Sequence, residues 1–330
     1  MQSATTMTNL LTGAVFGTGL TLSGVASPQV IRNQFNLSDF HMIATFLTAS
    51  ATSAAIFAAY NTRNTNKKIP AKSASSHGWI GAYDGNVIGG AMIGLGISLT
   101  GACPGTVLVQ ATANIGNSRV LACSCLLAGA VWIKLKPLVT RQQPPSRAGN
   151  ESVMAVTGWS TSRVVIVYEM AMLSILTAIL VYAPRSVTLL HPVVGGLVIG
   201  LGQFASVSLA KKPVGVSAVY QDFGSVFRSI LNGTLPKAIP DSILFAGGLM
   251  MGSWLTMFNV PAIREAMIRS ETPSLPITLV GGLFLTFGAR IAGGCTSGHG
   301  ISGMASMGLS SFITIISMFG TGIVAGMLLS

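Results

Sequence analysis

Charge is distributed along this chain in a way that leaves few folds open. Nine stretches hold no Asp, Glu, Lys or Arg: 1–31, 40–62, 85–118, 120–133, 170–184, 186–210, 242–263, 273–289 and 291–330. A helix crosses a bilayer with about 20 apolar residues, and a charge inside the bilayer is costly. Charged side chains make up 8% of the 330 residues, against about 25% in an ordinary soluble domain. A soluble surface cannot be covered with so little charge. A hydrophobic content of 50% excludes disorder, and no Gly-X-Y period points to collagen. The expected class is an all-α polytopic membrane protein. The windows place nine spans at 8–27, 41–60, 86–103, 119–136, 164–183, 192–210, 241–260, 276–294 and 311–329.

The net charge of +11 sits in the loops between these spans and lacks interleaved aromatics, so nucleic acid is not an expected partner. The lipid bilayer is. The Lys and Arg of 61–85, 134–163 and 211–240 fall on one side of a nine-span chain, against only Arg32, Arg119, Arg185, Arg264 and Arg269 on the other. The positive-inside rule then puts the N-terminus in the cytoplasm. Residues 1–9 lack the basic start of a cleavable signal, so the first stretch reads as a span. No targeting signal is legible, which makes the plasma membrane the expected location. The four cysteines (Cys103, Cys123, Cys125 and Cys295) lie in or beside apolar segments and do not read as a disulfide framework.

The chain also repeats itself. GGAMIGLGISLTGACP at 89–104 matches GGLFLTFGARIAGGCT at 281–296, aligning Gly90 with Gly282, Gly96 with Gly288, Gly101 with Gly293 and Cys103 with Cys295. A copy at 13–28 carries Gly13, Gly17, Gly19 and Gly24 but has Ala26 at the cysteine position. A weaker copy at 195–213 keeps Gly196, Gly200 and Gly202. Spans one to four thus resemble spans six to nine. An offset of five spans inserts the halves with opposite orientation, giving an inverted internal repeat with pseudo-two-fold symmetry, as in many transporters. The expected organisation is a single membrane domain, 1–330. Its first half is 1–136, a connector with span five is 137–190, and its second half is 191–330. Glycines at this spacing also pack helices with no further purpose.

Each motif cysteine is followed by helix-breaking sequence: Pro104, Gly105 and Thr106 after Cys103, and Thr296, Ser297, Gly298, His299 and Gly300 after Cys295. The segments that follow are too short to cross and return, so short re-entrant helices are expected. Free N–H groups at their starts favour anions. A thiol is a weak, soft donor suited to a sulfur-bearing ligand, although a lone buried cysteine more often acts as a small hydrophobe.

The string GGCTSGHGISG at 293–303 resembles the YeeE/YedE family of sulfur-transport membrane proteins, and GLTLSGVASP at 19–28 and LTGACPGT at 99–106 are similar to its other signatures. The resemblance covers nearly the whole chain. It implies a nine-span inverted repeat that imports thiosulfate or a related sulfur species, with motif cysteines contacting the ion. Cys103 and Cys295 match such positions, while Ser23, Ala26 and Ser27 stand where some members carry a further cysteine. Some relatives are linked to selenium. A cytoplasmic sulfur carrier or sulfurtransferase is a further candidate partner.

The candidate translocation residues are Cys103, Cys295, Thr106, Thr296, Ser297, His299, Gly101, Gly293, Gly294, Pro104, Ser23, Ser27 and Arg290. His299 reads equally as an anion or proton partner and as a helix cap. Arg290 reads as an anion attractor, a partner of Glu169, or a side chain reaching an interface. Gln110 and Gln203 read as helix-to-helix hydrogen bonders, and Cys123 and Cys125 as packing residues on two faces of one helix. Loops 61–77 and 138–150 read as flexible connectors. No cofactor is expected, and Cys295 with His299 supplies too few ligands for zinc. The leading function is transport of a small sulfur-containing anion. The alternatives are a membrane sulfur-transferring enzyme working through a Cys295 persulfide, and a scaffold that transports nothing.

Overall fold

In lipid every backbone N–H and C=O has to be paired within the protein, so long uncharged apolar stretches fold as helices. The computed structural model describes residues 2–64, 67–140, 152–184, 190–234, 238–270 and 273–329, and among them it has helices and no strand. The first helices are α1 (Gln2–Leu22), α2 (Pro28–Phe35), α3 (His41–Arg63), α4 (Asp84–Thr100), α5 (Thr106–Ala113) and α6 (Ser118–Val139). Next come α7 (Val153–Thr157) and α8 (Thr161–Tyr182). The last are α9 (Pro192–Ala205), α10 (Ala218–Leu231), α11 (Asp241–Asn259), α12 (Pro261–Ile268), α13 (Leu275–Ile291) and α14 (Leu309–Leu329). A wider π turn extends α9 through Ser206–Ala210, and a second lies between α13 and α14 at Ser297–Ile301.

By length and apolarity, α3, α6, α8, α14 and α9 with its π turn qualify as membrane crossings, five among the described residues. Counting α11 with α12, which bend by 104° at their junction, gives six. Helices α1, α4 and α13 lie at three more of the nine expected positions. They fall outside that count because breaks cut α4 and α13 to 17 residues each, and α1 opens on a run of polar residues.

Apolar side chains gain nothing by leaving lipid for a neighbouring helix, so close contact has to come from small residues. Gly13 and Gly17 of α1 lie against the backbone of Phe245 and Leu249 on α11, and Gly248 and Gly252 of α11 lie against Leu10 and Ala14. Gly196 and Gly200 of α9 meet Thr48 and Thr52 of α3. Gly90 and Gly94 of α4 meet Thr314 and Met318 of α14, and Gly282 of α13 meets Ser124 of α6. Helices α4 and α13 cross through glycines on both sides, Gly89 with Gly288 and Gly96 with Gly281. Helices α1 and α9 cross likewise, Gly19 against Ile199 and Gly202 against Phe16.

Cys125 is buried against the Gly282 carbonyl at 3.5 Å, whereas Cys123 is exposed. The described part of 61–77 is not a loose connector. It forms a strap laid across the ends of α13 and α14. Ser75 Oγ donates to Ile291 O at 2.6 Å, His77 Nε2 lies 2.9 Å from the same oxygen, and Ser310 Oγ donates to Lys72 O at 2.7 Å. Most of the other loop, 141–150, lies outside the described residues, as do Arg141, Arg147, Arg185 and Lys237 of the charge count.

Candidate functional site

The helices of three repeat copies, α1, α4 and α13, run into glycines in the left-handed conformation: Gly24 (φ 76°), Gly101 (φ 65°) and Gly293 (φ 75°). Glycine takes this conformation without a Cβ clash and turns the chain off the helix axis. Two residues on stand Ala26, Cys103 and Cys295, and the chain then restarts as α2, α5 and the second π turn. Pro28 opens α2, where its missing N–H costs nothing. Gln110 of α5 ties two of the breaks together, donating to Ala26 O at 3.0 Å and Gly101 O at 2.9 Å.

Cys103 is fixed by its own turn. Its N–H donates to Thr106 Oγ1 at 2.8 Å, and that hydroxyl lies 3.5 Å from the Cys103 Sγ. The Pro104 carbonyl accepts from the Tyr220 hydroxyl of α10. A cavity of about 60 Å³ brings Cys103, Gly105 and Thr106 of one break to Thr296 and Ser297 of the other. The rest of its wall is largely apolar, with Phe16, Phe46, Ile97 and Ile199 among its side chains. Cys295 is only 1% exposed and is not part of that wall; its Sγ lies 3.3 Å from Ser297 Oγ, which is.

Arg290 does not pair with Glu169. It donates to Ser217 Oγ at 2.7 Å and Gln221 Oε1 at 3.2 Å. His299 is fully buried, with Nε2 2.9 Å from Ala292 O and Nδ1 3.0 Å from Ser311 Oγ. A carbonyl only accepts, so the proton belongs on Nε2 and Nδ1 accepts from Ser311. Both ring nitrogens are thereby used in bracing the π turn. Ser23 Oγ donates to Leu20 O at 3.1 Å, and Ser27 Oγ lies 3.2 Å from Ser270 Oγ. These two serines shape the first break and do not line the cavity, whose nearest contributor from that turn is Val25.

The residue that sequence reasoning passes over is Lys72. The strap carries its ammonium onto the Cys295 break, where a Cβ on Gly294 would lie 2.2 Å from Nζ and one on Gly298 3.3 Å. Burial pushes the Lys72 ammonium down from its ordinary value to about 8. In the sequence Lys72 is one more basic loop residue; only the small residues around it, Ala71, Ser73 and Ala74, hint at close packing.

Long apolar helices, broken where two interrupted segments meet at a small and largely apolar cavity that includes Cys103, Thr106, Thr296 and Ser297, have the architecture of a polytopic membrane transporter. The family model described as "Sulphur transport" matches residues 23–324, and the chain belongs to that family, the YeeE/YedE family. A protein of Xylella fastidiosa strain 9a5c described as "Probable transporter" is 32% identical over 115 residues, which cover 35% of this chain and 76% of that protein. A protein of the same description from strain Temecula1 is 30% identical over 115 residues, with the same coverage.

Proposed function

We propose that this protein carries thiosulfate, or a closely related small sulfur-containing anion, through the waist where the Cys103 and Cys295 breaks meet. The observation that carries this reading is the shared cavity, in which Cys103 and Thr106 face Thr296 and Ser297. Hydroxyls and the start of α5 suit the anionic oxygens, and the Cys103 thiol suits the terminal sulfur. Cys295 acts from behind Ser297 and becomes accessible when that side chain turns.

The reading includes nine spans in an inverted repeat. Swapped contacts support it. Helix α1 meets α11 as α9 meets α3, and α4 meets α14 as α13 meets α6. In the α4–α13 crossing, Gly89 and its counterpart Gly281 each touch the other pair's member, Gly288 and Gly96.

The test is uptake of radiolabelled thiosulfate by cells lacking their own importer, with sulfate as the control ion. Wild type should accumulate thiosulfate, and Cys103→Ala and Cys295→Ala at matched membrane levels should lose most of it. Wild-type uptake unchanged in both variants would refute the cysteine path. No uptake by correctly inserted wild type would refute the substrate.

A further inference from the structure

We propose that the opening between the strap and the second π turn is a second anion site, built around Lys72, at which the transported ion is held on the side rich in Lys and Arg. The proposal rests on the transport reading above and adds a station to it. A cavity of about 350 Å³ lies here, walled by the strap at Lys72, by Val214 and Gly215 from the segment before α10, and by Gly298, Ser302 and Ser306. It adjoins the central cavity: Ser297 faces one and Gly298, the next residue, faces the other. Gly215 and Gly298 are neighbours here: a Cβ on Gly215 would lie in ordinary contact, 3.8 Å from the Gly298 Cα. Two side-chain-free positions thus stand beside each other at the join, where an ion has to pass.

Lys72 is placed there by construction. Its carbonyl is held by Ser310, and three residues on, Ser75 is held by both Ile291 O and the Asn86 side chain, whose Oδ1 accepts from Ser75 N at 2.8 Å. Gly294 and Gly298 leave the room that the ammonium fills. Among the described residues no carboxylate pairs with it, and the Gly298 carbonyl is distant at 3.5 Å. Ser302 is already committed, donating to Val214 O at 2.7 Å, and Ser306 donates to Gly303 O at 2.9 Å. Among the cavity's described side chains, the Lys72 ammonium and the Ser73 hydroxyl beside it are the groups left with unused donors, and of the two only the ammonium carries charge. A cation set in a concave wall beside a narrow join raises the local concentration of anions.

The experiment uses purified full-length protein in proteoliposomes, with labelled thiosulfate supplied over a range of concentrations. Lys72→Met keeps the apolar stem and removes the charge, and Lys72→Arg keeps the charge. The expected result is a tenfold or larger rise in KM for Lys72→Met, with recovery of most of it in Lys72→Arg. If Lys72→Met does not fold, Ser306→Asp places an opposing charge in the same wall and should raise KM in the same direction. A wild-type KM in Lys72→Met, or in Ser306→Asp where that variant stands in, overturns the proposal. Should wild-type vesicles take up no thiosulfate, the transport reading fails by itself. The site is then judged by calorimetric titration with thiosulfate: binding to wild type that Lys72→Met loses supports it, and equal or absent binding overturns it.

Discussion

The crossing of α4 and α13 can be tested by filling it. A Cβ on Gly89 would lie 2.6 Å from the Gly288 carbonyl oxygen, and one on Gly288 would lie 2.8 Å from the Gly89 oxygen, where ordinary contact begins at 3.4 Å. Backbone lies on both sides, so no side chain can swing away and the helices have to part. Overpacking of this kind costs about 1–3 kcal/mol. Gly89→Ala and Gly288→Ala should therefore each destabilise the protein by about that much. Both substitutions push on the same crossing, so once one has opened it the second should cost less. The double variant should fall short of additivity by about 0.5 kcal/mol or more. Gly320→Ala on α14 is the control, since nothing lies within 4 Å of a Cβ there. Thermal unfolding in a single detergent, followed by aggregation or intrinsic fluorescence, gives the ranking. Full additivity, or a Gly89→Ala protein as stable as Gly320→Ala, would refute the close crossing.

Transport should also depend on pH. Lys72 is charged below about 8 and neutral above it, so vesicle uptake should fall as pH rises through 8, and Lys72→Met should show no such fall. Cys295, Arg290 and His299 are the groups that interact electrostatically with Lys72; a flat wild-type profile would remove the ammonium from the path. Gly101→Ala should lower the yield of folded protein. It forces an alanine into φ 65°, worth about 1–2 kcal/mol, and brings a Cβ to 2.8 Å from Pro28 O. His299→Phe leaves the Ser311 hydroxyl without its partner, at about 1–3 kcal/mol, and leaves the Ala292 carbonyl only the long 3.4 Å bond from Asn86 Nδ2. A melting temperature equal to wild type would show that water takes over both bonds.

The breaks at Cys103 and Cys295 were legible in the sequence because they depend on local chemistry, although each helix ends before its cysteine and not after it, and the break at Gly24 was not foreseen. Gly24, Gly101 and Gly293 each stand two residues before the marked position, and each adopts the left-handed turn that only glycine takes freely. The opposite environments of Cys123 and Cys125 follow from helix geometry alone. What stayed hidden depends on residues far apart in the chain. The polarity of 61–77 reads as loop, yet its hydroxyl and imidazole groups bond helix ends more than 200 residues away. Arg290 has a choice of partners that no spacing rule resolves; α10 supplies Gln221, and Ser217 just before it supplies the other. The motif pairs Cys295 with Cys103, but Cys103 lines the cavity and is half-buried whereas Cys295 is buried beside it. The span count depended on where breaks shortened α4 and α13, which hydropathy alone cannot locate to the residue.

The pattern of helix partners has a consequence for how the chain is made. The most extensive pairings each join a helix before α7 to one after α8: α1 with α11, α4 with α14 and α13, α3 with α9, and α6 with α13 and α10. The early helices have little to pack against among themselves. Synthesis runs at about 5–20 residues per second, so α1 to α6 wait roughly ten to forty seconds for their partners. During that wait their glycine faces and hydroxyls are open to lipid or to whatever holds them. Assembly is therefore a late step, begun when α9 arrives and completed with α14. A truncation that removes α14 should leave α4 without the helix it was shaped to meet, and send the whole chain to quality control.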